Sequence, residues 1–379
     1  LFATAALISC FLAASFLARA ADSPSAQQID AIFSAVTSPS APGLAVLVRK
    51  GGKTVFERGY GLGDLRSGLP IDTYTDFRLA SFTKQFTAMA VMLLVRDGKL
   101  HYDEHLPDIF PEFPAYGKTI TIRNILNHTS GLVPYEDLMD KQYAGKSPEE
   151  IPQIHDAGVL ALMEQQTGTK FPPGTRWEYS NSGYCVLAMV VEKVSGMPFG
   201  EFLRKRIFEP LGMDRTLAFE YSKNMVPERA YGYTNDAGVW LETDQSSTSA
   251  TLGDGGIYTN LKDLIKWDDA LRNHALLSAE EFQPAITPAL PPETTASLGA
   301  PKFFTDPDGK PVSYGFGWFL DPYRGHTRMW HTGSSMGFRT VIERFTMDDL
   351  TIIILSNRTD HDVAALALKA ADLFLNPSK

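Results

Sequence analysis

Ser81-Phe82-Thr83-Lys84 sets a hydroxyl three residues ahead of an amine. On a helix that spacing is one turn, so the Lys84 amine can reach the Ser81 hydroxyl and, when neutral, draw off its proton. A serine activated in this way attacks a carbonyl carbon and carries the acyl group until water removes it. Two specified residues at a fixed spacing arise by chance about once in a chain of this size. An N-cap serine followed by a solvated lysine explains the pair equally well, so other residues must complete the chemistry.

The element that must hold the pair is legible. Phe82, Phe86, Met89, Ala90, Leu93 and Leu94 recur at three-and-four spacing, which predicts a helix from Thr83 to Arg96 that ends at Asp97-Gly98. Ser81 then lies at or near its N-terminus, where free backbone N–H groups favour a developing alkoxide.

A second functional group is sought among three Tyr-x-Asn triplets, at Tyr179, Tyr233 and Tyr258. Asn235 opens the turn signature Asn-Asp-Ala-Gly, and Thr259 or Asn260 suits the cap of a helix from Leu261. Tyr179-Ser180-Asn181 follows the rigid Pro172-Pro173-Gly174 and precedes a long apolar helix, so it is favoured, although spacing alone does not select it. A third group is His331-Thr332-Gly333, closing a strand-like run, with Gly333 small enough for backbone to approach a ligand. His326-Thr327 lacks the glycine, and His128-Thr129 precedes a loop at Ser130-Gly131, so both are set aside. His101 and His105 have ligand-like spacing but surface-loop neighbours, and no metal or cofactor is expected.

The wider chain constrains where this chemistry sits. At 379 residues it exceeds the usual single core, which suggests one large domain or two interlocked subdomains. Its 44 acidic residues against 35 basic ones give a net charge of −9, which argues against a nucleic-acid partner. β-Rich runs at Gly43 to Val48 and Lys53 to Tyr60 form a hairpin through Gly51-Gly52, and three more lie at Arg328 to Thr332, Phe338 to Phe345 and Leu350 to Leu355. Helices are predicted near both ends, at Gln27 to Val36 and Val363 to Phe374, and between the two β-rich regions the signals are mainly helical. The expected fold is α/β of the α+β type: an antiparallel five-stranded sheet built from both chain ends and flanked by helices, with a large helical insertion. The subdomains are 21–78 with 312–379, and 79–311, with the site between them.

Leu1 to Leu17 is uncharged and runs into Ala18-Arg19-Ala20, which reads as a signal peptide cut after Ala20. An uncleaved anchor, or a lipoprotein box at Cys10, is the competing reading of the same run. The protein is expected to be exported, periplasmic or secreted, without stable membrane insertion. Of the two cysteines, Cys185 would remain, as a small buried hydrophobe with no internal disulfide partner.

Taken in order, the three elements resemble the serine β-lactamase and penicillin-binding protein superfamily, in its class C β-lactamase, DD-peptidase and esterase branch. Asn127 to Leu132, Phe171 to Gly183, Pro210 to Met213, Gly255 to Tyr258, Tyr314 to Trp318 and Leu355 to Asn357 look like that branch's landmarks. The resemblance selects Tyr179 among the triplets. It implies an acyl-enzyme on Ser81 and proton transfer by Lys84 and Tyr179. Asn181, His331, Thr332 and Gly333 would contact substrate, and the Ser81 and Ser334 N–H groups would form an oxyanion hole. The substrate would be a small molecule or peptide: a D-amino-acid peptide, an ester or a β-lactam-like compound. Because lysine is usual where His331 stands, the balance shifts from a class C-type β-lactamase toward a peptidase, esterase or amidase. A non-catalytic penicillin- or peptidoglycan-binding protein is the further alternative. A partly protonated His331 would make turnover of carboxylate-bearing substrates fall as pH rises through its pKa. Loops Val133 to Pro152 and Pro284 to Pro311 are expected to shape specificity.

Overall fold

The computed structural model describes residues 24–289 and 313–375, so the expected signal peptide and most of the Pro284 to Pro311 loop lie outside it. The chain enters through helix α1 (Ala26–Ser34), then strands β1 (Leu44–Lys50) and β2 (Lys53–Tyr60). A long, mainly helical stretch contains α2 (Lys84–Arg96), α3 (Tyr135–Gln142), α4 (Asp156–Glu164), α5 (Asn181–Ser195) and α6 (Leu261–Arg272). The chain returns as β3 (Ser313–Tyr314), β4 (Phe319–Tyr323), β5 (His326–Ser335), β6 (Phe338–Phe345) and β7 (Leu350–Ser356), and ends in α7 (Val363–Ala371).

These seven strands form one sheet in the order β3-β4-β5-β6-β7-β1-β2, and every neighbouring pair is antiparallel. The five expected strands are its contiguous run from β5 to β2. Two strands, β3 and β4, extend it from five to seven. They lack the signature because β3 has two residues and pairs only with Phe319 and Leu320, so the Asp321-Pro322 end of β4 behaves as an edge, where proline is tolerated.

β1 and β7 read as nearly continuous apolar runs because helices cover both faces of the sheet. Leu44, Val46, Val48, Ile352 and Ile354 turn outward to the buried faces of α1 and α7, among Ile29, Phe33 and Leu366. Ala45, Leu47, Ile353 and Leu355 turn inward to the main core with Phe86, Leu93 and Trp267. Two-residue periodicity sends alternate side chains to the two layers.

α2 is central: Lys84 through Leu94 are all buried. Three-and-four spacing by itself implies burial of one face only. Among its polar members, Thr87 Oγ1 donates to the Gly253 carbonyl at 2.6 Å and Gln85 Oε1 accepts from Trp267 Nε1 at 3.1 Å. Among the described residues no helix is long and apolar enough to cross a membrane.

Candidate active site

Ser81 sits in a 3-10 turn, Ala80–Thr83, and Lys84 is the first residue of α2. The helix expected from Thr83 thus starts one residue later, with Ser81 on its tighter prelude. Ala80, immediately before the serine, has φ 51°, a left-handed conformation that costs a residue with a Cβ about 1–2 kcal/mol. Strain of this sort persists where packing on all sides dictates it.

The Lys84 amine is fully buried and surrounded by acceptors. Nζ donates to Ser81 Oγ at 3.2 Å, to Asn181 Oδ1 at 2.9 Å and to the Asp254 carbonyl at 2.9 Å. Three acceptors match the three N–H bonds of an ammonium. Asn181 in turn donates from Nδ2 to Glu136 Oε1 at 2.7 Å. A carboxylate only accepts, so Glu136 determines which end of the Asn181 amide faces the lysine. Burial raises the Glu136 pKa, opposed by the Asn181 hydrogen bond. The Asp254 carbonyl is held by its own support: the Leu252 and Gly253 N–H groups donate to Asp156 at 2.8 and 3.0 Å, and burial pushes the Asp156 carboxyl up to about 7.

Opposite this polar wall stands an aromatic one. Tyr179 precedes α5, whose N-cap Ser180 accepts from the Gly183 N–H at 3.1 Å through Oγ. Its ring centroid lies 5.0 Å from Lys84 Nζ and 6.2 Å from Phe319, with the two rings 10° from parallel. His331 lies beneath, 1% exposed. Its Nδ1 is 2.6 Å from the Thr332 carbonyl and its Nε2 3.0 Å from the Tyr314 hydroxyl. A carbonyl cannot donate, so the ring proton is on Nδ1 and Nε2 accepts from Tyr314. Burial, then the nearby Lys84 charge, push the His331 pKa down to about 3, against the pull of the Thr332 carbonyl. This overturns the expectation of a partly charged His331 meeting a substrate carboxylate. The ring is neutral at ordinary pH, and its two nitrogens are turned to the protein.

Gly333 is also required by the protein's own packing. A Cβ there would fall 2.0 Å from the Leu79 carbonyl oxygen and 2.3 Å from Thr340 Oγ1, so the close approach is by the protein's own backbone. Thr340 Oγ1 donates to that same carbonyl at 2.7 Å, pinning β6 to the segment leading into Ser81. Thr332 is half-buried and Ser334 exposed at the end of β5, which abuts the 3-10 turn.

Residues 28–375 match the sequence profile of the Beta-lactamase family. The chain belongs to the Beta-lactamase family. Within it, penicillin-binding protein 4* of Bacillus subtilis is 33% identical over 348 residues, covering 87% of this chain and 71% of that protein. A D-aminopeptidase of Cereibacter sphaeroides is 28% identical over 87% of this chain, which spans 60% of that protein's length. The structure of D-amino acid amidase from Ochrobactrum anthropi SV3 complexed with L-phenylalanine amide superposes with a TM-score of 0.72 at 24% identity, covering 91% of this chain and 98% of that one, a likeness of fold. The protein is a serine hydrolase of this family.

In this Beta-lactamase-family site the structure brings Ser81, Lys84, Tyr179, Asn181 and His331 together. The other triplets are structural: Asn235 Oδ1 accepts from Gly238 N–H at 2.8 Å in a turn, and Asn260 caps α6 by accepting from Asp263 N–H at 3.0 Å. His326 pairs with Asp348 at 2.9 Å, away from the site. His128, set aside on sequence, is instead fully buried against Tyr179, with ring centroids 4.4 Å apart. Glu136, Asp254 and Tyr314 also went unnoticed. Tyr314 and His128 both lie inside the landmark segments, whereas Glu136 is on α3, a helix in the stretch expected to be a loop. Cys185 is buried as expected, and burial raises its thiol pKa.

Proposed function

We propose that the protein hydrolyses amides of D-amino acids or short D-amino-acid peptides bearing a free α-amine, through an acyl-enzyme on Ser81. Ser81 Oγ attacks the carbonyl carbon while its proton passes into the Lys84 and Tyr179 pair. The N–H groups of Ser81 and Ser334 hold the oxyanion, the leaving amine departs with that proton, and water then releases the acid by the reverse route. Asn181, Thr332 and the Gly333 backbone line the path of the substrate chain.

The observation that carries the substrate class is Glu136, a part-exposed carboxylate 2.7 Å from the side chain that contacts Lys84. An anion in that place suits a substrate ammonium and disfavours a substrate carboxylate. The neutral His331 points the same way, since it supplies no cation where a carboxylate-holding lysine is usual. The 28% identity to a D-aminopeptidase supports the D-configuration. We also infer export, on the apolar run Leu1 to Leu17 before Ala18-Arg19-Ala20.

The deciding experiment is a panel of D- and L-amino-acid amides, D-Ala-D-Ala peptides, p-nitrophenyl esters and nitrocefin, run with wild type and Ser81→Ala. Turnover should be highest on D-amino-acid amides and fall about 10⁴-fold or more in Ser81→Ala. Nitrocefin as the best substrate would favour a β-lactamase. Absence of any Ser81-dependent fluorophosphonate adduct would leave a binding protein.

A further inference from the structure

We propose that His128 is the positioning residue for Tyr179, fixing the tyrosine from both sides along the chain. This rests on the role given to Tyr179 above. The Glu178 N–H donates to the His128 carbonyl at 2.9 Å, and the Ser180 N–H donates to His128 Nδ1 at 3.1 Å. One residue therefore holds the N–H groups of both chain neighbours of Tyr179, Glu178 and Ser180, while its ring packs on the tyrosine at a 4.4 Å centroid separation.

A peptide N–H can only donate, so Nδ1 carries the lone pair and the ring proton resides on Nε2. That Nε2 is buried and has no hydrogen-bond partner among the described residues. A buried donor left unpaired costs about 1–3 kcal/mol, so an apolar ring of similar size would fill the space more cheaply. His128 also has φ 61°, a backbone region unfavourable for a side chain with a Cβ. Two costs therefore converge on one residue, and the ring's single hydrogen bond goes to the chain beside Tyr179. Ser180 is 7% exposed and precedes the first turn of α5, so without Nδ1 its N–H would be buried and unpaired.

What the arrangement fixes is where the Tyr179 phenol points. A misplacement of about 1 Å at a proton-transferring group can cost about 100-fold in rate. The needed property is an acceptor at the Nδ1 position. Asparagine provides one through Oδ1 and tolerates positive φ, whereas phenylalanine keeps the ring and provides none.

The test compares His128→Phe and His128→Asn on p-nitrophenyl acetate, with melting temperatures measured in parallel. His128→Phe should lose about 100-fold in kcat with KM little changed, and His128→Asn should stay within about threefold of wild type. In a Tyr179→Phe background, His128→Phe should cause no further loss, because its effect passes through the tyrosine. His128→Phe with wild-type kcat, or a double variant reduced by the product of the two single losses, would overturn the proposal. If His128→Phe does not fold, His128→Ala replaces it, with the same two outcomes read against His128→Asn. Tyr179→Phe as active as wild type would instead remove the role of Tyr179 itself, a result distinct from an inert His128 beside an essential tyrosine.

Discussion

The two walls of the site handle charge in opposite ways. On the Lys84 wall the amine meets three acceptors, and Asn181 meets both the amine and Glu136. On the aromatic wall two buried histidines are held neutral, in opposite tautomers, His331 protonated on Nδ1 and His128 on Nε2. The walls are linked, because after burial the Lys84 charge is the next cause lowering the pKa of both histidines. The difference teaches that a site can contain several titratable groups and still confine its charge to one side. The aromatic wall provides shape and hydrogen-bond direction, while the polar wall provides the electrostatics.

The sharpest break of this contrast removes the cation. Lys84→Met leaves Asn181 Oδ1 and the Asp254 carbonyl without their donor, and should reduce kcat by about 10³-fold, read in the same ester and amide assays. If activity survives, the polar wall is not the proton-transfer wall.

Next, Glu136→Gln should raise KM about 10-fold or more on an amine-bearing D-amino-acid amide and leave p-nitrophenyl acetate nearly unchanged. Equal losses on both substrates would make Glu136 only a support for Asn181.

The smallest effect tests the neutral wall. His331 has a folded-state pKa of about 3, below its ordinary value of 6.5, so the fold favours the neutral ring. Its contribution to stability is complete above pH 6.5 and is lost as pH falls toward 3, since the unfolded chain takes up the proton first. Melting temperature should therefore drop by a few degrees on acidification from pH 7 to 5, and less in His331→Phe. Asp156 and Glu343, each pushed up to about 7 by burial, act in the opposite direction over the same range, so the comparison between variant and wild type is the informative one. Turnover of carboxylate-bearing substrates should show no His331-dependent inflection between pH 6 and 8, at the full distance from a pKa of about 3.

How much of this was legible follows from range. Ser81 with Lys84, the Tyr179 triplet and the His331 triplet are short local patterns, and residues close in sequence carry their own geometric relation. The strands from β5 to β2 were visible because burial on both faces writes a long apolar run. Glu136 and His128 meet partners distant in sequence: Glu136 bonds Asn181 on α5, and His128 the N–H groups of Glu178 and Ser180 beside Tyr179. No local spacing encodes such contacts. The charge state of His331 was misread for the same reason, since burial beneath Phe319 and Tyr179 is a tertiary property. Gly333 was recognised as a close-approach position, but the identity of what approaches, the Leu79 carbonyl, depends on how the sheet meets the 3-10 turn.

The pairing of β1 with β7 joins Leu44 to Ser356, so the sheet is complete only when nearly the whole chain is available. A growing polypeptide would hold Ser81 and Lys84 long before His331 and Gly333 emerge. Loop closure over such a span is slow compared with local helix formation. Ser81 is therefore made early and β5, the strand that abuts its turn, late, so the grouped residues of the site come together only toward the end of folding.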